Sequence, residues 1–323
     1  MMDHPKPIIL ISACLEHSPA RYDGTTISDQ VVRDMKEHVQ FIPVCPEMAI
    51  GMSAPRDAVR LTQQKGGDLK LVTSIKGLDF TDKMLSFTRK YIDKTFKKSY
   101  DGFILKAKSP TCGTDKIKVY QGTGKSQLFG TVPNGMFADE IVNRYENYPI
   151  ESERRLSNFN IREHFYIRVF TTARYKEIRN TPVKNLVQFH TEHKYLFMTY
   201  NQTIMKNMGN IVANHNHLPV EQVYDLYYQL LVLLFNNPAT KQKRINVLTH
   251  IYGYFKDQIT NDEKAYYFET QNDYLQNHIP YSNPLRILKG FSVRFNQSYL
   301  IDQIIFEPYP KKLLTQLDSG KKI

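Results

Sequence analysis

Two short stretches, Pro7-Ile8-Ile9-Leu10-Ile11-Ser12 and Gln40-Phe41-Ile42-Pro43-Val44, each followed within two residues by a cysteine, decide the fold. The first is a continuous apolar run with polar flanks, the pattern of a strand buried on both faces. Beyond the turn-like Arg21-Tyr22-Asp23-Gly24, Thr26 and Asp29 have capping-box spacing and predict a helix from near Thr26, with Val31, Val32 and Met35 on one face. The second stretch reads as a strand at or near an edge, because Pro43 cannot donate to a ladder. Leu69-Lys70-Leu71-Val72-Thr73 alternates as a third strand, and Gly102-Phe103-Ile104-Leu105 as a fourth. Helices are predicted over 79–100, with Met84, Phe87 and Tyr91 on one stripe, and over 136–145. Strands alternating with helices imply an α/β domain built on a Rossmann-like parallel sheet.

From about residue 155 the strand signal fades. Helical patterns follow near 160–175, 183–213, 219–236, 243–260, 262–277 and 294–304. In the 243–260 segment, Ile245, Leu248, Tyr252, Phe255 and Ile259 recur at helical spacing. The polar, proline-bearing stretch Tyr148–Arg154 separates an α/β domain over 1–155 from an all-α domain over 156–323. No internal repeat or low-complexity tract is present.

The 323 residues are 41% hydrophobic, enough for two ordinary cores. The longest apolar runs, Ile8–Ile11 and Leu230–Phe235, are too short for a bilayer, and no leader pattern opens the chain. A soluble cytoplasmic protein with no membrane partner is the expectation. Three cysteines, odd in number and sparse, fit reduced thiols better than a disulfide framework. The net charge is +11, and residues 156–323 hold 20 Lys and Arg against 13 Asp and Glu. With 21 Tyr and 18 Phe, this composition suits a polyanionic partner.

The placement of the cysteines matters more than their number. Cys14 follows the first strand, Cys45 ends the second, and Cys112 lies in the loop after the fourth. Ligands of an open parallel sheet bind outside the carboxyl ends of its strands, so the three thiols are expected to converge there. The alternative is three inert buried cysteines. A three-thiolate set points to zinc or to an iron–sulfur cluster. Structural zinc takes four ligands and commonly uses Cys-x-x-Cys loops, which are absent. A four-iron cluster on three cysteines keeps one iron open, and a soft thiocarbonyl sulfur prefers that position to a carbonyl oxygen. Glu47, two residues after Cys45, is placed for proton transfer or, alternatively, as a helix-start carboxylate. Ser109, three residues before Cys112, offers a hydroxyl or simply a Ser-Pro turn.

Taken together, Ser12-Ala13-Cys14-Leu15, Arg21-Tyr22-Asp23-Gly24, Cys45-Pro46-Glu47, Gly51 with Pro55-Arg56, and Lys108-Ser109-Pro110-Thr111-Cys112-Gly113 resemble the TudS thiouracil desulfidases. Gly130 and Gly135-Met136-Phe137-Ala138 fit the tail of that domain. In the second half, Phe189-His190, His193-Lys194-Tyr195-Leu196, Asn246–Lys256 and Pro308–Leu313 resemble the YbgA C-terminal domain. The combination is similar to RudS-type enzymes, which remove sulfur from 4-thiouridine in transfer RNA. The resemblance implies a [4Fe-4S] cluster on Cys14, Cys45 and Cys112, with Glu47 and Ser109 as the catalytic polar pair. The expected reaction is hydrolytic and redox-neutral, giving uridine and hydrosulfide. Arg21, Tyr22, Asp23 and Arg56 are candidate substrate contacts. Ala107, Thr111 and the pair Glu16-His17 depart from the family pattern.

In the helical half, His190, His193, Lys194, His250 and Lys256 are candidate RNA contacts, with core or capping histidines, or a metal pair, as the other readings. Gly122-Thr123-Gly124-Lys125-Ser126 suggests a phosphate loop, but its required first glycine would fall at Val119, so no nucleoside triphosphate is expected. Two other functions fit the same residues. One is desulfuration of free thiouracil or thio-UMP, with the helical domain serving for assembly. The other is a non-catalytic RNA-binding protein with a zinc or empty cysteine site. No oligomeric state follows from the sequence.

Overall fold

The computed structural model describes residues 4–96 and 99–314, which form two compact units. One comprises the chain up to Ala173 together with the segment from Pro310, and the other spans Arg174–Tyr309. The division between these compact units falls inside a helix, Phe159–Ile178.

In chain order the first unit contains β1 (Ile8–Ser12), α1 (Gln30–Met35), β2 (Gln40–Val44), α2 (Pro46–Ala49), β3 (Val59–Thr62), β4 (Lys70–Thr73) and α3 (Thr81–Phe96). It continues with β5 (Gly102–Leu105), β6 (Ile117–Tyr120), β7 (Leu128–Val132), α4 (Met136–Arg144), β8 (Ile150–Ser152), α5 (Glu153–Leu156) and α6 (Phe159–Ile178). The parallel sheet has the order β2-β1-β5-β8. β5 is buried throughout and β1 nearly so, as continuous apolar strands with neighbours on both sides must be. β2 is an edge strand, which tolerates Pro43 opposite Ile11.

A second sheet, β4-β3-β6-β7, is mixed: β3 pairs parallel with β6, while β4 and β7 run antiparallel at the edges. The alternating 69–73 segment therefore belongs to this sheet and not to the parallel one. α1 begins at Gln30, with Asp29 as its cap: the Asp29 carboxylate accepts from Val32 N at 2.9 Å, so the helix starts one turn later than the Thr26 spacing predicts. Gly122–Ser126 joins the antiparallel strands β6 and β7 and opens no helix. The unit's core gathers Leu10, Leu61, Met84, Phe103, Phe137 and Ile141, each worth about 1.5–3 kcal/mol on full burial.

The second unit is helical throughout: α7 (Val183–Tyr200), α8 (Gln202–Ala213), α9 (Val220–Leu234), α10 (Lys241–Tyr252), α11 (Asn261–Leu275), α12 (Ser282–Arg294) and α13 (Ser298–Ile301). The predicted 183–213 helix is two helices, because the Asn201 side chain accepts from Thr203 N (3.0 Å) and Ile204 N (3.1 Å) and restarts the ladder. α10 ends at Tyr252. Val247, Leu248 and Ile251 form its buried face, while Phe255 and Ile259 are buried beyond its end. α12 has no counterpart among the predicted helices. Pro284 lies in its first turn, where a missing N–H costs nothing, and Leu285, Leu288 and Phe291 are its buried stripe. Among the described residues no helix is long and apolar enough to cross a membrane.

Candidate active site

The carboxyl ends of β1, β2 and β5 open onto a cavity of about 230 Å³, and Cys14, Cys45 and Cys112 all line it. Cys14 follows β1 by two residues, Cys45 caps α2 directly after β2, and Cys112 lies in the loop after β5. Burial pushes the Cys14 thiol up to about 12, with the nearby Cys45 charge adding to the rise. Cys45 and Cys112 are also raised, chiefly by burial. Among the described residues no three His, Cys, Asp or Glu side chains converge as a single-ion site would require.

The 109–113 loop is held from outside. The α4 N–H groups that a helix leaves unpaired donate to it: Met136 N to Pro110 O, and Phe137 N and Ala138 N to Thr111 O, all at 3.0 Å. Gly135 must lack a side chain, since a Cβ there would sit 2.7 Å from Pro110 O and Thr111 O. On the other side, the Glu153 carboxylate accepts from Lys106 Nζ (2.6 Å) and Ala107 N (2.7 Å).

A polar chain runs through the cavity. Ser109 Oγ accepts from Thr111 N (3.2 Å) and Cys112 N (3.1 Å), which leaves its proton for Thr111 Oγ1 at 2.9 Å. Thr111 Oγ1 donates to Glu47 Oε1 at 2.7 Å, and Arg56 pairs with Glu47 Oε2 through Nε (3.1 Å) and Nη2. Arg56 is itself fixed on Ala20 O (3.0 Å) and Ser53 O (3.1 Å), with its side chain only 5% exposed. Glu47 is thus aimed by its hydrogen bonds on both sides and remains 12% exposed. Such an arrangement can orient a carboxylate toward a small molecule in the cavity and move a proton along hydroxyls.

Arg21, Tyr22 and Arg56 line the cavity, but Asp23 does not. Its carboxylate accepts from Thr25 N (3.1 Å) and Thr25 Oγ1 (2.7 Å) and pairs with Arg21 (3.0 Å), so it fixes the turn instead. Glu16, a departure from the family pattern, bonds Asp29 N (2.6 Å) and Arg33, and so anchors α1. Thr111 is the functional residue that sequence reading missed. Its only signal was its place between Ser109 and Cys112.

The candidate RNA contacts of the helical unit separate. His193 is a core residue, 1% exposed, lying between Phe189 and Phe197 with Nδ1 bonded to Phe189 O at 2.7 Å, so it presents nothing to a ligand. His190 Nδ1 meets Tyr227 Oη at 3.0 Å, and burial lowers its pKa to about 4. His250 and Lys256 are exposed and Lys194 half-buried.

Residues 9–153 match the 2-thiouracil desulfurase family. The uncharacterized protein YbbK of Bacillus subtilis (strain 168) is 30% identical over 156 residues, covering 47% of this chain and 99% of that protein. The chain belongs to the 2-thiouracil desulfurase family. To the desulfurase domain it joins a second one: residues 194–310 match a protein family of unknown function, DUF1722. There the uncharacterized protein YbgA of Escherichia coli (strain K12) is 28% identical over 127 residues, covering 39% of this chain and 75% of YbgA. A solved structure described as the [4Fe-4S]-dependent thiouracil desulfidase TudS is 25% identical, covering 47% of this chain and 93% of its own, with a TM-score of 0.37. The cysteine cavity lies wholly within the desulfurase domain.

Proposed function

We propose that this desulfurase acts on 4-thiouridine in transfer RNA, releasing hydrosulfide and leaving uridine, with a [4Fe-4S] cluster held by Cys14, Cys45 and Cys112. The observation that carries the reading is the meeting, in one cavity, of all three cysteines of the chain with the Ser109–Thr111–Glu47–Arg56 hydrogen-bonded chain. The donor set fits the group. Three desolvated thiols facing one space, without closing on a single ion-sized point, suit a multi-atom cluster of soft ligands. The solved TudS structure is described as [4Fe-4S]-dependent.

When bound, the cluster supplies a soft Lewis-acidic iron with affinity for thiocarbonyl sulfur. The chain's own residues do the rest. Glu47 takes one proton from the water that attacks C4 of the base; the C–O bond forms as the C–S double bond opens, and when the carbonyl closes the remaining hydroxyl proton passes to the sulfur, which leaves as hydrosulfide. Thr111 and Ser109 keep Oε1 of Glu47 in place and relay protons. Arg56 prevents the carboxylate from turning away. Arg21 and Tyr22 form the wall against which the base rests.

A transfer RNA substrate is favoured by the net charge of +11, since cations attract phosphates irrespective of sequence. The test is sulfide release by anaerobically purified full-length protein from thiolated transfer RNA, 4-thio-UMP and free 4-thiouracil. We expect kcat/KM to be about tenfold or more higher on the RNA, because remote binding energy is used there. Turnover of the free base or nucleotide alone would replace the transfer RNA reading with a small-molecule desulfidase. Glu47→Ala should keep the visible absorption of the cluster and lose about a hundredfold or more in kcat. A colourless wild-type protein after anaerobic purification would remove the cluster.

A further inference from the structure

Beside the cysteine cavity lies a second, larger recess of about 940 Å³ in the same compact unit. Val59, Ala107, Lys108 and Pro110 line both, so the recess adjoins the cavity. Its walls come from β3, β6, the loop between β5 and β6, and the β8–α5 junction, and they carry Arg60, Lys108, Lys116, Lys118, Arg154 and Arg155, the last paired with Glu151 at 2.7 Å. Three carboxylates also line it, but two are already committed. Asp29 caps α1, and Glu153 holds Lys106 and Ala107.

Among the described residues, no carboxylate pairs with Lys108, Lys116, Lys118 or Arg154, all of which are exposed. Lys108 and Lys116 are presented from left-handed backbone, φ +60° and +45°, a conformation that costs non-glycine residues energy and so marks a held position. Arg60 is anchored to Ser74 Oγ (3.2 Å) and Gly124 O (3.0 Å) and lies 4.6 Å from the centroid of the Tyr120 ring. This pair offers a flat, cationic surface of the kind on which unstacked bases rest.

We infer that this recess is the RNA track of the desulfurase domain: it binds the ribose-phosphate backbone flanking the thiolated nucleotide, whose base enters the cysteine cavity past Lys108. The inference deepens the transfer RNA reading and rests on it. A lone nucleotide would engage one or two of these cations. Three unpaired lysines and Arg154, spread over several elements, match a run of phosphates instead, each contact positioning without reading sequence.

The test uses the full-length protein and a fluorescein-labelled, unthiolated transfer RNA, with binding read by anisotropy across a salt series. The triple variant Lys116→Asn, Lys118→Gln, Arg154→Gln spares every residue of the cysteine cavity. It should raise Kd about tenfold or more and flatten the slope of log Kd against log salt by about 2. The ratio of kcat/KM on thiolated RNA to that on the free base should fall in parallel. Unchanged Kd and slope, in a variant that melts like the wild type, would overturn the track, as would a wild type that does not bind the RNA. Should the triple variant fail to fold, Lys118→Gln and Arg154→Gln singly should each weaken binding about threefold, and no effect from either would also overturn it. Failure of the transfer RNA reading looks different: RNA binds through these cations, yet thiolated RNA yields no sulfide.

Discussion

At the scale of single residues, Glu47 and Thr111 show what can and cannot be read along a chain. Glu47 follows Cys45 by two positions, so a carboxylate beside a thiol was visible locally. Thr111 acquires its role from a hydrogen bond to Glu47, 64 positions away, and its neighbours give no hint of that bond. Thr111→Val keeps the shape and removes the hydroxyl that donates to Glu47 Oε1. A hydrogen bond to a charged group contributes about 1.5–3 kcal/mol, so kcat should fall roughly tenfold to a hundredfold. Cluster absorption should be retained, because all three cysteines remain. A variant with wild-type kcat would show that Glu47 needs no support from the hydroxyl chain. Asp23 teaches the converse lesson: a charged residue within a site-like motif was spent on its own turn, through Thr25 and Arg21.

At the scale of elements, the parallel sheet was legible because β1 and β5 are continuous apolar runs, and only burial on both faces sustains such runs. The second sheet was not. β3, β4 and β6 have four residues each, and their pairing is set by contacts across the chain, such as Leu61 with Val119. What this organisation does for the site is clearest at α4, whose unpaired N–H groups grip the loop that carries Cys112. Gly135→Ala places a methyl 2.7 Å from backbone carbonyl oxygens that cannot move without moving that loop. The cost of such overpacking is about 1–3 kcal/mol, so thermal unfolding should shift down by several degrees. Cluster occupancy after anaerobic reconstitution should fall with it. Full occupancy at the wild-type melting temperature would show that the loop is held by other contacts.

At the scale of the whole molecule, charge counted by halves pointed to the helical unit as the RNA face, because the first 155 residues are less basic. Counting misses which charges are already spent. In the desulfurase unit Asp29 and Glu153 are consumed by a cap and a loop, leaving the recess cationic. In the helical unit two of the histidines that looked available are packed among aromatic rings. Those two have a consequence for stability. Burial lowers the pKa of His190 to about 4 and holds that of His193 well below the ordinary value of 6.5, so both are neutral in the folded state. An unfolded chain protonates them near pH 6.5, so below that value the unfolded state binds more protons than the native one. The stability these groups contribute is therefore complete above about pH 6.5 and drains away as the pH falls toward 4. Calorimetry at pH 7.5, 6 and 5 should show an unfolding midpoint that drops progressively. His190→Gln, which can still meet the Tyr227 hydroxyl but cannot titrate, should flatten that fall. A His190→Gln protein with the wild-type pH profile would show that His190 does not control the acid sensitivity.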